Sequence, residues 1–298
     1  MRNHAPIFLN CFSRGGSNIL WNLFITHPDV CSPQRETLEI FRTHPLKNPK
    51  LAGYQAVILS RQWGLFDQWN LKERKPIPKA AQLFIDKKLY EYKLTTFSDP
   101  EMKYKYEGEV YTLEEVQQSR LVAKNNNGLT FLSPIFQDMY PDATFIALVR
   151  HPFAIYESYK RRKIMSSADQ FARFYRKITG KMLFDAENLP NYHVITFESI
   201  LKEPQHALET LYKWTHLELS KVKKLRFKAK GHLQPDGTHG SSFEIGKHYW
   251  FELDRIYDII DPQINQHQTS RLSDAEKQTI LRLIGDNLTA LGYTADNG

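Results

Sequence analysis

The apolar positions of the chain fall into short unbroken runs that alternate with stretches of helical spacing. Ala5 to Cys11 is one such run, too short for a helix and ended by Phe12, Ser13, Arg14, Gly15 and Gly16. Behind it, Ser17 to Thr26 carries apolar residues at three- and four-residue intervals. The pattern predicts a strand, a glycine turn and a helix. It recurs at Thr144 to Val149, an apolar run broken by Arg150, His151 and Pro152, with an amphipathic segment from Phe153 to Ile164 behind it. A third strand is expected at His193 to Phe197, preceded by a long helix over Ala168 to Glu187 and followed by another over Gln205 to His216. Strands interleaved with helices imply an α/β fold: a central parallel sheet flanked by helices on both faces.

Three other stretches complete the outline. Between Ser60 and Arg120 charged residues mix with tyrosines, and residues 61–120 read as an insertion near the mouth of the site within a single domain spanning 1–298. Lys230 to Gly246, rich in Gly, His and Ser, reads as a mobile loop. Leu272 to Leu291 has Ser273 as a cap, Glu276 three residues on and Gly292 at its end, and is expected to be a terminal packing helix.

The 298 residues, 41% of them hydrophobic, suffice to bury a large core, and 40 Lys plus Arg against 33 Asp plus Glu leave a net charge of +7. That excess suits an acidic partner but does not choose among nucleic acid, anionic membrane and polyphosphate ligand. Apart from Lys160 to Lys163 the basic residues are scattered among acidic ones, which argues against nucleic acid. Two cysteines, Cys11 and Cys31, make no disulfide framework and fit a reducing compartment. The apolar stretch within Met1 to Asn10 is too short for a signal sequence or a membrane span, so a cytoplasmic protein without an integral membrane segment is expected.

The first turn carries the clearest chemistry. A strand feeding a glycine-rich turn into a helix start directs backbone N–H groups and the positive end of the helix dipole at one small volume, which favours phosphate. In Ser13-Arg14-Gly15-Gly16-Ser17-Asn18 the glycines permit close backbone approach, Ser17 offers a hydroxyl and Arg14 a guanidinium fork. Neither G-x-x-x-x-G-K-[ST] nor G-x-G-x-x-G is matched.

Arg14-Gly15-Gly16-Ser17-Asn18-Ile19-Leu20-Trp21 resembles the phosphosulfate-binding loop of the sulfotransferase superfamily. Phe145 to Pro152, with Arg150 at the strand end and Ser158 eight residues later, resembles that family's 3′-phosphate signature. The Ser lies two helical turns on and faces the same side as the Arg. The lead-in Asp138 to Asp142 and the ending Leu291-Gly292-Tyr293 are also similar to family patterns. The resemblance implies a P-loop-like sulfotransferase fold and 3′-phosphoadenosine-5′-phosphosulfate as donor. It implies donor contacts at Arg14, Gly15, Gly16, Ser17, Asn18, Arg150 and Ser158, with Lys247 as a further 3′-phosphate contact.

Sulfuryl transfer needs a cation at the leaving oxygen, donors to the sulfuryl oxygens and a base for the acceptor. By resemblance Arg14 takes the first role, as a clamp and not a proton donor. His27-Pro28-Asp29-Val30-Cys31 followed by Gln34-Arg35-Glu36-Thr37 resembles tyrosylprotein sulfotransferases, whose Glu-Thr pair supplies the proposed base. Glu36 stands one residue later than in that pattern. Lys124 matches a lysine that contacts the transferring group in the same relatives. Where phenol and hydroxysteroid sulfotransferases carry a basic His, this chain has Asn126. Glu36 therefore leads as base, with His44 in reserve. Residue by residue, the plain alternatives are a solvated helix-start carboxylate for Glu36, a surface lysine at a turn for Lys124 and a solvated strand-end charge for Arg150. Trp21 reads more readily as helix core than as a base stacker.

Two other functions stay open on the residues alone: a P-loop-like kinase, and a non-catalytic nucleotide- or glycan-binding module. No metal is expected, because no His-based ligand spacing is present. The acceptor is expected to be a small molecule, a glycan or a lipid, met by the aromatic, basic stretch Trp63 to Tyr111.

Overall fold

The computed structural model describes residues 2–32, 36–37, 77–229, 232–233, 239–240, 243–258 and 261–293. Its centre is a five-stranded sheet in the order β2-β5-β1-β6-β7, every pair parallel. The strands are β1 (Ile7–Cys11), β2 (Val30–Cys31), β5 (Arg120–Asn126), β6 (Thr144–Val149) and β7 (Tyr192–Thr196). A parallel sheet needs cover on both faces, and side-chain alternation along each strand divides the core accordingly. Ile7, Leu9 and Cys11 of β1, Val122 of β5 and Ile146 and Leu148 of β6 pack with helices α1 (Ser17–Ile25), α7 (Phe197–Lys202) and α8 (Pro204–Thr215). Phe8, Ala123, Phe145 and Ala147 pack on the other face. Their partners there are α2 (Lys79–Ser98), α4 (Ser133–Met139), α6 (Ala168–Asn188) and α10 (Asp274–Ala290). The expected α/β architecture is the one observed.

Agreement is closest where the apolar signal is unbroken. Thr144–Val149 is the strand the pattern predicts, and β7 begins and ends one residue earlier than expected. The helix α10 carries the anticipated capping box: Glu276 N donates to Ser273 Oγ at 3.3 Å and Ser273 N to Glu276 Oε2 at 3.0 Å.

Of the stretch read as an insertion, residues 61–76 lie outside the described residues. Residues 77–120 hold α2, the short pair β3 (Tyr104–Tyr106) and β4 (Glu109–Val110), and helix α3 (Leu113–Gln118). Ala81, Ile85 and Leu89 of α2 are buried in the same core as Phe8. The helical period was masked because the buried face of α2 also carries charge. Asp86 accepts from Arg2 N at 2.6 Å and Tyr140 Oη at 2.9 Å, and Lys93 Nζ donates to the Gln117 and Ser119 carbonyls, each at 3.0 Å.

The sheet register aligns the carboxyl ends of three strands. Cys11 pairs with Asn126 on one side and Leu148 on the other, so the turn after β1, the segment after β5 and Arg150 after β6 all emerge at one edge. In open α/β sheets ligands bind outside that edge. After the helical layer come β8 (Leu225–Lys228), a two-residue pair β9 (His232–Leu233) and β10 (His239–Gly240), and β11 (His248–Phe251), antiparallel to β8. Between β11 and α10 lies α9 (Ile264–Thr269), and α5 (Pro152–Arg161) follows β6.

The β8–β11 pair is fastened by Arg226, which donates to the Tyr104 and Glu101 carbonyls at 2.5 and 2.7 Å and to His248 Nδ1 at 3.1 Å. Burial first, then the charges of Arg226 and Lys228, push the His248 imidazole down to about 3. A free histidine titrates near about 6.5, so between these values the unfolded chain binds more protons than the folded one. Stability is fully present above about 6.5 and is lost as pH falls toward the folded value, with buried His27, also lowered by desolvation, acting in the same sense. The urea midpoint should therefore decline from pH 6.5 to pH 4, and His248→Gln should flatten that slope; an unchanged slope would remove His248 as its source.

Candidate active site

The turn between β1 and α1 is shaped for an anion. Gly15 N closes it onto the Phe12 carbonyl at 3.0 Å, Arg14 has φ 65° and Gly16 has φ 89°. Gly16 is the N-cap of α1, which has no side-chain cap bond and no acidic residue in its first turn. The first-turn N–H groups and helix dipole are thus not answered by a carboxylate of their own helix. Only glycine fits at position 16: besides its left-handed backbone, an added Cβ would lie 2.3 Å from the Phe197 ring.

Asn127 holds the turn from outside. Its Oδ1 accepts from Ser13 N at 2.9 Å and from Tyr159 Oη at 3.2 Å, and its Nδ2 donates to Ser13 Oγ at 2.9 Å. Asn127 itself has φ 54°, a conformation asparagine tolerates better than most residues. Sequence reasoning missed this role; the signal was an Asn run at a strand end.

Arg150 leaves β6 and is 4% exposed. It donates to Asn265 Oδ1 at 2.8 Å, Gln268 Oε1 at 2.7 Å and the Arg14 carbonyl at 3.0 Å, with its guanidinium 4.7 Å from the Phe197 ring centroid. All three acceptors are neutral. A carboxylate enters only at one remove: Glu198 accepts from Asn265 Nδ2 at 2.5 Å, His151 N at 2.9 Å and Tyr293 Oη at 2.5 Å. Ser158, buried on α5, accepts from Arg14 Nε at 3.2 Å. The two loops expected to bind donor are therefore bonded to each other twice, through Arg14–Ser158 and Arg150–Arg14. Burial lowers both guanidinium pKa values to about 10; at Arg14 the charges of Arg162 and Arg161 add to it, and at Arg150 Glu198 opposes it. Positive charge is confined here beyond what the surroundings neutralise.

The third group lies on β5. Lys124 sits within the strand, not after it or at a surface turn, and is 5% exposed. Its Nζ donates to Asn18 Oδ1 at 3.1 Å and lies 3.7 Å from Glu36 Oε1, while Asn126 Nδ2 donates to Glu36 Oε1 at 2.5 Å. Thr37 Oγ1 donates to the Lys124 carbonyl at 3.1 Å. Desolvation lowers the Lys124 pKa, opposed by the charge of Glu36.

Arg14, Asn18, Arg150, Ser158, Lys124 and Glu36 are thus joined by contacts at the carboxyl edge of the sheet, with Gly15, Gly16 and Ser17 in the chain between Arg14 and Asn18. Lys247 stands apart from it among the described contacts, exposed and paired with Glu244 at 2.6 Å. Trp21 is 2% exposed and bonds Ser32 Oγ at 2.6 Å, a core position; His44 lies outside the described residues. Among the described residues no three His, Cys, Asp or Glu side chains cluster as a metal-ligand set, and no helix is long and apolar enough to cross a membrane. Phe197, Asn265, Gln268 and Glu198, which hold Arg150, were not singled out from the sequence. They come from segments far apart in the chain, and only the fold joins them.

Comparison with known proteins identifies the fold and the family. A family model described as "Sulfotransferase family" matches residues 6–221. The sulfotransferase domain of the olefin synthase of Synechococcus PCC 7002 is 18% identical, with 99% of this chain and 97% of that one covered at a TM-score of 0.50. The sulfotransferase domain from the curacin biosynthetic pathway is 17% identical, with 99% of each chain covered at a TM-score of 0.52. No curated protein sequence matches. The two solved domains share the fold, including its P-loop-like sheet, and with a family model spanning the turn after β1, the β5 lysine and the end of β6, the chain belongs to the sulfotransferase family.

Proposed function

We propose that this sulfotransferase moves a sulfuryl group from 3′-phosphoadenosine-5′-phosphosulfate to a hydroxyl or amine of a small-molecule, glycan or lipid acceptor, acting as one domain in the cytoplasm and without a metal. The observation that carries the donor reading is Arg150, a buried guanidinium whose acceptors are Asn265, Gln268 and the Arg14 carbonyl, all neutral. A buried cation held by dipoles alone remains free to pair with a multiply charged phosphate. Arg150 and Ser158 are assigned to the 3′-phosphate, and Arg14 to Asn18 to the 5′-phosphosulfate, where the open helix start favours negative charge. Lys247 would join the 3′-phosphate by exchanging Glu244 for it. The two cysteines, both buried and unpaired, are in keeping with a reducing compartment.

The chemistry follows from the side chains. Glu36 accepts the acceptor's proton as the acceptor atom bonds to sulfur. The S–O bond to the 5′-phosphate breaks and its electron pair leaves on the phosphate oxygen, where Arg14 offsets the new charge. Lys124, desolvated and held on Asn18 beside Glu36, stabilises the sulfuryl oxygens in passage. A module that only bound nucleotide would have no use for a buried lysine and a carboxylate in contact, which supports catalysis.

Calorimetry with 3′-phosphoadenosine-5′-phosphate in the absence of metal should give binding that ATP with magnesium does not match. Arg150→Ala should weaken it by about 30-fold or more, since a hydrogen bond to a charged group is worth about 1.5–3 kcal/mol and Arg150 offers more than one. Preference for ATP with magnesium would sink the donor reading. Gly16→Ala should abolish nucleotide binding or lower the melting temperature sharply, because the Phe197 ring and the left-handed backbone both oppose a Cβ. Glu36→Gln should reduce sulfuryl transfer from labelled donor to a panel of phenols, alcohols and amines by about 100-fold or more while nucleotide affinity stays within a few-fold. Transfer at the unaltered rate would exclude Glu36 as the base.

A further inference from the structure

The geometry points to Asn126 as the positioning residue of Glu36, fixing one carboxylate oxygen so that the other is presented to the acceptor. This rests on the reading of Glu36 as the base. Both polar contacts of Glu36 among the described residues fall on the same atom: Asn126 Nδ2 at 2.5 Å and Lys124 Nζ at 3.7 Å from Oε1. Among the described residues nothing bonds Oε2, the oxygen left to take a proton.

Asn126 is well placed for such a task. It is 6% exposed at the end of β5, paired in register with Cys11 of the central strand. Its own Oδ1 is buried and has no hydrogen-bond partner among the described residues. An asparagine could satisfy that oxygen by turning over only if the turn did not set Oδ1 against the Glu36 carboxylate, two acceptors facing each other. The orientation of the amide is therefore dictated by the carboxylate, at the cost of an unsatisfied carbonyl.

The choice of an amide has a chemical consequence. A neutral donor orients the carboxylate without adding a second cation beside Lys124. Among the described residues, ionisable groups that reach Glu36 are Lys124 on β5, Cys11 on β1 and Tyr159 on α5. Burial pushes the Cys11 thiol and the Tyr159 phenol each up to about 12, so both stay neutral through the range in which a carboxylate titrates. Lys124 stays the one charged neighbour of the three.

The test needs no acceptor. The readout is uncoupled release of inorganic sulfate from the donor, with affinity for 3′-phosphoadenosine-5′-phosphate measured by calorimetry in parallel. Sulfate release by Asn126→Ala should fall about 10- to 100-fold at neutral pH, with affinity for 3′-phosphoadenosine-5′-phosphate unchanged. Asn126→Asp, isosteric but without the amide hydrogens, should lower release at least as far. In the Glu36→Gln background Asn126→Ala should slow release no further, because both residues act through one carboxylate. Sulfate release at the original rate in Asn126→Ala, or a full further loss when it is added to Glu36→Gln, overturns the proposal. If the Ala variant fails to bind nucleotide, the isosteric Asp variant decides by the same two rates. Undiminished sulfate release by Glu36→Gln is a different result: it removes the base, and the need to position it.

Discussion

The side chain of Phe197 fixes the distance between the two halves of the anion site. One surface of its ring fills the space a Cβ would need on Gly16, at 2.3 Å, and its face carries the Arg150 guanidinium 4.7 Å from the centroid. The start of α1 and the end of β6 are therefore spaced by one rigid, apolar object. An aromatic face suits this task because it attracts a guanidinium without neutralising it. Had a carboxylate stood there, Arg150 would be equally well buried but its charge would already be matched. Elsewhere the chain does pair cations with buried acids: Lys181 is ion-paired with Asp185 on α6, and the partly exposed Arg161 with Glu157 at 2.9 Å on α5. The contrast sets these ion pairs apart from Arg150, whose direct acceptors are neutral.

Strand register does the rest of the assembly. Because Cys11 lies level with both Asn126 and Leu148, three chain segments leave the sheet at one height and their first side chains meet. Asn127 then bonds Ser13, Arg150 bonds the Arg14 carbonyl and Lys124 bonds Asn18, each contact crossing between neighbouring strands or from strand to first helix. A shift of one residue in any of these pairings would turn the side chains to the opposite face. The site is thus a consequence of the sheet's register and not of loops folding independently over it.

Legibility in the sequence followed from how locally each feature is determined. The β1–turn–α1 unit and β6 with Arg150 could be read because an unbroken apolar run next to glycine or proline has few other interpretations. Ser158 was placed by the family resemblance, eight residues after Arg150, and helical spacing then put it on the same side. β5 was harder: its last three residues, Lys124, Asn125 and Asn126, are polar yet buried, since they face partners brought from elsewhere. The helix α2 was hidden for the same reason, with Asp86 and Lys93 on its inner face. Glu198, Asn265 and Gln268 carry no local signal at all, because their function exists only once Arg150 lies between them.

The placement of Glu36 shows how a strand can organise chemistry supplied by another segment. Side chains alternate along β5, so Lys124 and Asn126 share a face while Asn125 points away, where its Nδ2 donates to Asn10 Oδ1 at 3.2 Å. The two same-face residues both reach Glu36, and the Lys124 carbonyl accepts from Thr37, the next residue in that segment. The carboxylate is therefore held by two side chains spaced as the pleat imposes and its segment by one strand carbonyl, and the strand that holds them is hydrogen-bonded in register to β1, which leads into the proposed donor loop. The proposed base is consequently fastened to the same pair of strands from which the proposed donor loop emerges. In a reaction whose barrier is lowered by alignment, such common anchoring would limit misplacement between the two.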